Sequence, residues 1–240
     1  MSLLTACITT FKRPEFLRES IESLINQTFK DFDILILNNG EDEETKNVIN
    51  FYEKNNIRIR SINHQSISIS KQRNLALKEV KTKYIGFLDD DDLWASNKVE
   101  EFYKQGFNKQ YNEALFYSGF CFFKQLKNSK RIFYKNVYDS KSNLKDLLLQ
   151  RGDFSGSASN PIINVQKAID IGMYDERIKT GEDWEFYLRL AEKYKFQSIN
   201  KSLVYVREHY GTRLGGRLKD YINTDIIIHR RFCNKSKVIN

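Results

Sequence analysis

Apolar residues fall in short blocks along the first ninety positions, and the spacing inside the blocks alternates between two periods. Residues 3–10, LLTACITT, are apolar and β-branched, a strand pattern. Pro14 stands where a first helical turn accepts proline, and Leu17, Ile21, Leu24 and Ile25 recur at i, i+4, i+7 and i+8, the stripe of an amphipathic helix. Residues 32–37, FDILIL, form a second apolar run and end in the turn signal Asn38-Asn39-Gly40. The pattern then predicts a helix over 43–55, a strand at 57–62, a helix over 70–81 and a strand at 84–88. Strand alternating with helix, on short connections, argues a parallel α/β sheet. Ligands bind such sheets beyond the carboxyl ends of the strands.

After residue 95 the rhythm changes. A helix is expected around 97–110, then a long Phe- and Tyr-rich strand at 114–123 and a helix at 142–150. Residues 152–160, GDFSGSASN, read as a flexible loop of small residues that could close over a bound molecule. Gly181 precedes a helix in which Trp184, Leu188 and Ala191 share a face, and 203–207 is a last strand. Residues 216–233 fit a helix with Leu218, Tyr221, Ile222 and Ile226 on one side. With no internal repeat and no Pro/Gly-rich linker, a single domain with a tail is the simplest organisation.

Composition adds bounds. At 240 residues, 40% hydrophobic and 29% charged, the chain can bury a core and is not of disordered type. Cys7, Cys121 and Cys233 are odd in number and far apart, with neither metal spacing nor a disulfide framework, which suits a reducing compartment. The start MSLLTACITTF has no basic region followed by a long apolar stretch, and no run approaches the ~20 apolar residues of a membrane span, so a cytoplasmic protein is expected. Nine Lys/Arg against three acids in residues 201–240 account for six of the eight net positive charges. A basic amphipathic tail suits a peripheral contact with an anionic membrane and equally a solvated face. Nucleic acid is not the expected partner, because no helix-turn-helix, zinc or RNP signature accompanies the charge.

The segment GFLDDDDLW, residues 86–94, carries the first candidate chemistry. Four adjacent carboxylates at the end of an apolar strand repel one another and are expensive to desolvate. In extended backbone Asp89 and Asp91 would share one side and Asp90 and Asp92 the other. Such oxygen ligands suit Mg²⁺ or Mn²⁺, which needs only one or two carboxylates when substrate phosphates complete the shell. The plain alternative is a solvated acidic turn in which Asp92 caps the next helix. Gly181-Glu182-Asp183-Trp184 opens a helix with two acids, which either complement the helix dipole or supply a general base. His209 in Arg207-Glu208-His209-Tyr210 is structural or a ligand.

Taken in order, these stretches resemble family 2 glycosyltransferases of the GT-A fold. Ile8-Thr9-Thr10-Phe11-Lys12-Arg13-Pro14 is similar to that family's opening strand and "PTYNRP"-like turn, and Ser23–Phe32 to its QT-containing run. Gln72-Arg73-Asn74 is similar to its "ARN" helix start, Phe87–Trp94 to its DXD segment, and Ile171–Glu176 to its "GxFDE" turn. Glu182-Asp183 is similar to its ED motif and Tyr205–His209 to its "YRxH" stretch. The resemblance spans roughly residues 3–213. It implies a Rossmann-like, mostly parallel central sheet flanked by helices, with a smaller acceptor-side region. The implied division is 1–215 as the transferase domain, with a nucleotide-sugar half at 1–110 and an acceptor half at 111–215, and a basic helical tail at 216–240.

The resemblance also implies roles. Thr9 and Phe11 would line the base pocket, and Asn39 stands where the family has an aspartate facing the base. Arg73 would face the diphosphate or base, while Asp89, Asp90 and Glu182 would contact the donor. Asp91 would bind Mn²⁺ or Mg²⁺, with His209 as a further ligand, and Asp183 would be the catalytic base. The implied reaction inverts the anomeric centre as a sugar moves from a nucleotide sugar, UDP-linked by preference, to a hydroxyl of a glycan or lipid-linked saccharide. A Lys-, Asn-, Ile-, Phe- and Tyr-rich composition fits a bacterial cell-surface polysaccharide or lipooligosaccharide pathway. Two departures bear on base choice: Asn39 can donate as well as accept, and Phe11 replaces the usual Tyr and drops its phenol. A sugar-phosphate nucleotidyltransferase is disfavoured, since residues 3–14 have no glycine. A non-catalytic module acting through the tail is the remaining alternative.

Overall fold

The computed structural model describes residues 2–65, 67–108, 113–125, 131–136, 156–208 and 218–233. The chain begins β1 (Leu4–Thr10), α1 (Pro14–Ile25), β2 (Asp33–Asn38), α2 (Glu43–Asn55), β3 (Ile59–Asn63), α3 (Ile69–Glu79) and β4 (Tyr84–Asp89). This is the alternation that the two hydrophobic periods predict. Pro14 sits in the first turn of α1, Asp42 accepts from Thr45 N at 2.9 Å to cap α2, and Ser68 caps α3.

Beyond β4 come β5 (Leu93–Trp94), α4 (Lys98–Asn108), β6 (Leu115–Gln125) and β7 (Arg131–Asn136). Then follow β8 (Ile162–Asn164), α5 (Val165–Asp170), α6 (Glu182–Lys193), β9 (Phe196–Arg207) and α7 (Leu218–Ile228), which runs into a π-helical turn at His229–Cys233. The last strand is longer than the 203–207 read from the sequence. The short pieces β5 and β8 were not anticipated. The helix expected at 142–150 lies outside the described residues.

Among the described residues the strands form one sheet in the order β3-β2-β1-β4-β8-β6-β9-β5, with β7 on β6. Strands β3, β2, β1 and β4 are all parallel. Strand β8 then runs antiparallel to both β4 and β6, and β6 and β9 pair in parallel. Every residue of β1 is buried, so its two faces separate by partner: Leu4, Ala6 and Ile8 join a core with α1, α2 and α4, while Cys7 joins the opposite core with α3, α5 and α6. The register aligns Thr10 with Asn38 and Thr9 with Asp89, so the carboxyl ends of β1, β2 and β4 lie at one edge. Gly86 is required in β4, because a Cβ there would stand 2.7 Å from the Trp94 ring.

The tail helix docks with a different stripe from the one the sequence suggested. Thr224, Ile228 and Phe232 are buried, and the last two belong to the core around α6, whereas Ile222 and Ile226 are 48% and 42% exposed. The reason is polar: Thr224 Oγ1 donates to Thr180 O at 2.5 Å, and Arg231 pairs with Glu185 and with Asp175. Among the described residues no helix is long and apolar enough to cross a membrane. Cys7 and Cys121 are free and buried.

Candidate active site

The four aspartates do not alternate along a strand. Only Asp89 belongs to β4; residues 90 and 91 form a turn, closed by Asp92 N donating to Asp89 O at 3.1 Å. Ser20 of α1, fully buried, pins the turn by donating to both Asp90 O and Asp92 O. The carboxylates are thereby turned in different directions, with only Asp90 and Asp91 sharing a partner, Arg13.

Asp92 faces inward. It accepts from Ser157 Oγ at 2.7 Å, Ser159 Oγ at 2.6 Å and Arg207 N at 3.0 Å. The sequence reading of Asp92 as a helix cap is corrected: it ties the turn to the 156–160 segment and to β9. Burial, with Asp91 and Asp89 nearby, pushes its pKa up to about 7. The same contacts correct the flexible-loop reading for residues 157–160, whose hydroxyls and amides are spent on the core. Asn160 Nδ2 donates to Ser118 O, and Trp94 Nε1 donates to Ser159 O. Residues 152–155 lie outside the described residues.

Asp90 is also buried. It accepts from Thr10 Oγ1 at 2.8 Å and Arg13 Nη1 at 3.2 Å, and burial pushes its pKa up to about 7. Arg13 also reaches Asp91 at 2.9 Å, so one guanidinium spans both groups. Asp89 and Asp91 are the two whose side chains reach the surface, 35% and 19% exposed. Arg207 lies between the Phe16 and Phe123 rings, donates to Asp91 O at 2.8 Å and pairs with Glu19. Sequence reasoning assigned no role to Arg13, Ser159 or Arg207. Their signal is a cation or hydroxyl placed against an acidic run, half-buried for Arg13 and buried for Ser159 and Arg207, which only the fold reveals.

Arg73 joins the two acidic motifs. From α3 it pairs with Glu182 at 2.7 Å and with Asp89 at 3.6 Å, its guanidinium 5.7 Å from the Phe87 ring and 5.5 Å from the Tyr174 ring. Its Nε is buried and has no hydrogen-bond partner among the described residues. Thr9 Oγ1 lies 3.4 Å from Asp89 on the neighbouring strand. Gly181, at φ +72°, starts α6 with Glu182 and Asp183, and Asp183 Oδ1 accepts from Trp184 N at 2.8 Å.

Phe11 is 47% exposed beyond the end of β1, with Lys12 Nζ 5.5 Å from its ring centroid and Gly40 beside the ring edge. Asn39 lies beside it, but its amide is engaged: Oδ1 accepts from Ile67 N and Nδ2 donates to Ile67 O, both at 3.0 Å. The residue thus clamps the loop before α3. The edge brings Thr9, Phe11, Asn39, Arg73, Asp89, Asp90, Asp91, Glu182 and Asp183 to one side of the sheet. His209 lies outside the described residues.

Comparison with known proteins gives the family and the fold. A family model described as glycosyl transferase family 2 matches residues 5–150. The chain belongs to that family. A relative, an uncharacterized glycosyltransferase of Methanocaldococcus jannaschii, is 30% identical over 85% of this chain and 70% of its own length. The poly(ribitol-phosphate) β-N-acetylglucosaminyltransferase TarP of Staphylococcus aureus is 34% identical over 44% of this chain and 33% of its own. The GT-A fold is shared with S. aureus TarS (residues 1–349) in complex with UDP-GlcNAc, at a TM-score of 0.68 and 17% identity over 88% of this chain and 60% of that one. Some relatives are much longer: the chain spans 28% and 33% of the length of two Rickettsia glycosyltransferases.

Among the described residues of this family 2 chain, no three His, Cys, Asp or Glu side chains gather as a ready metal cage. The chemistry of the set still fits Mn²⁺ or Mg²⁺. Asp89 and Asp91 are the surface-reaching pair, and such an ion takes the rest of its shell from phosphates and water.

Proposed function

We propose that the protein is an inverting glycosyltransferase that moves a sugar from a nucleotide sugar, UDP-linked by preference, to a hydroxyl of a polyol or glycan acceptor. The observation that carries this reading is the Arg73 junction, which sets the aspartate turn and the Glu182-Asp183 helix start against each other at the carboxyl edge of the sheet. A donor lying across that edge would stack its base on exposed Phe11, with Thr9 beside it. Asn39 shapes the base pocket by holding Ile67 rather than by offering a free amide.

Asp89 and Asp91 would hold a divalent cation on the diphosphate, and that ion, when bound, neutralises charge gathering on the leaving group. Arg13 keeps Asp90 and Asp91 oriented and adds positive charge on the same side. Glu182 is committed to Arg73, which leaves Asp183 as the carboxylate to accept the acceptor's hydroxyl proton. One base on the acceptor side, and a leaving group opposite, give inversion.

The donor class is supported by the UDP-GlcNAc complex of TarS, and use of a metal by the complex of a Pyrobaculum calidifontis mannosyltransferase with GDP-Man and Mn²⁺. A membrane contact of the 216–240 region would fall to the exposed Ile222 and Ile226 of α7 and Arg230 of the π-helical turn, since the other stripe is docked. The test is a donor screen: single nucleotide sugars with Mn²⁺ or Mg²⁺, following nucleoside diphosphate release, with Asp91→Ala alongside. Release from one donor, lost with chelator and in Asp91→Ala, is expected. Equal release in chelator overturns the metal assignment, and no nucleotide binding of any kind overturns the reading.

A further inference from the structure

A cavity of about 560 Å³ opens between the segment leading into α6 and the tail helix α7. One wall is Arg177, Ile178 and Lys179; the other is Asp220, Asn223, Thr224 and Ile227. It is anchored at its inner end, where Thr224 Oγ1 donates to Thr180 O and its methyl packs on Gly181. Lys179 lies four residues before Asp183, so their Cα atoms are at most about 15 Å apart. A chain-like molecule anchored in this cavity and spanning about 15 Å could therefore reach the hydroxyl that Asp183 serves.

The two walls differ in chemistry. On the loop side Arg177 and Lys179 are exposed cations. Arg177 already holds Asp175 at 2.7 Å through Nη2 and has further N–H groups to offer. On the helix side Asp220 and Asn223 supply oxygen acceptors and an amide donor, which suit hydroxyl groups. Ile178 and Ile227 add one apolar side chain to each wall. Cations facing hydroxyl-binding groups across one cavity match a ligand that carries both phosphate and hydroxyls.

We propose that this cavity is the acceptor subsite and that it takes a phosphate-bearing polyol or saccharide, with Lys179 and Arg177 on a phosphate and Asn223 and Asp220 on neighbouring hydroxyls. The proposal rests on the glycosyltransferase reading and deepens it. It makes the tail part of the substrate site rather than an appendage. Two relatives whose names refer to polyol phosphates, TarP and a teichoic acid poly(glycerol phosphate) polymerase of Staphylococcus epidermidis, fit the same chemistry.

The experiment is calorimetric titration of the full chain with two probes, a ribitol phosphate hexamer and neutral maltohexaose, and with UDP on the same samples. The hexamer is expected to bind the wild type at least tenfold more tightly than maltohexaose. Lys179→Glu should weaken the hexamer at least tenfold, and Asn223→Trp, which fills the cavity from an exposed position, should weaken both probes. Lys46→Glu on α2 carries the same charge change away from the cavity and should leave the hexamer's affinity as it is. Equal hexamer binding by Lys179→Glu and wild type overturns the subsite, as does an equal loss in Lys46→Glu, which would mean non-specific attraction. A protein that binds UDP but neither probe also overturns it. A protein that binds no UDP fails the glycosyltransferase reading itself, and the subsite falls with it.

Discussion

The Arg73 guanidinium lies 2.7 Å from Glu182 and 3.6 Å from Asp89, which makes one buried cation the common partner of two acidic motifs more than ninety residues apart. Its side chain is 3% exposed, and a guanidinium suits the place because it stays charged and spans two carboxylates with one planar fork. Arg73→Met strands Glu182 as an unpaired, nearly buried charge. Loss of about 3–5 kcal/mol in urea unfolding is expected, with activity abolished. Arg73→Met combined with Glu182→Gln should recover much of that stability and none of the activity. A double variant no more stable than Arg73→Met would show that the pair is not energetically coupled.

Asp183 and Asp92 are both acids of the candidate site, and their substitutions should separate. Asp183→Asn keeps an oxygen for Trp184 N and should leave the melting temperature near that of the wild type, while kcat falls ~10²–10⁴-fold. Asp92→Ala strips the acceptor from two serine hydroxyls and from Arg207 N. A stability loss of about 3 kcal/mol is expected, from buried donors left unpaired. Thermal melts and turnover on the two variants check both, and a folded Asp183→Asn with full turnover would remove Asp183 as the base.

Much of this arrangement is legible in the sequence, and the rest is not for definite reasons. Strands β1, β2 and β4 are buried on both faces, so they read as continuous apolar blocks, and the helices between them show a single stripe. The carboxyl-edge placement of the aspartates follows from that alternation. Strands of two or three residues, such as β5 and β8, are too short to show any period. The four aspartates look alike in the sequence, and only the turn at residues 90 and 91 sends Asp92 inward and Asp91 outward. In α7 two stripes compete, and the choice depends on Thr180, Glu185 and Asp175, none of them local to the helix. Asn39 looks available for a base until Ile67 is seen to occupy it.

Lys98 gives a pH signature. Its ammonium is buried, donates to Asn160 O at 2.7 Å and lies 5.1 Å from the Trp94 ring, and burial lowers its pKa from 10.5 to about 7. Between those two values the unfolded chain holds a proton that the folded chain has released. Stability contributed at this site therefore rises with pH from about 7 towards 10.5, by up to roughly 1.4 kcal/mol per unit. Lys98→Met should be more stable than wild type at pH 7.5, with the gap narrowing by pH 8.5. Differences between the two proteins cancel the other titrating groups. A gap independent of pH would place the Lys98 pKa outside this window.

The tail is held to α6 by charge as well as by apolar packing. Glu185 is fully buried and accepts from Arg231 and, through both oxygens, from Arg189 at 2.7 and 2.8 Å. Arg231 also pairs with Asp175 at 2.6 Å, and Arg177, with Arg231, keeps the Asp175 carboxyl well below the usual carboxylate range. Arg231→Met removes the tail's contribution while Arg189 still covers Glu185, so a loss of about 1–2 kcal/mol is expected rather than collapse. The released α7 would loosen Thr224 from Thr180, one residue before Gly181 and three before Asp183. Faster amide hydrogen exchange is expected over residues 180–186, with β1 and β4 unchanged. Arg177→Met, at an exposed position sharing only Asp175, should leave exchange at those amides as it is. If Arg231→Met speeds exchange evenly across the sheet, or not at all, α7 does not clamp the helix that carries Asp183.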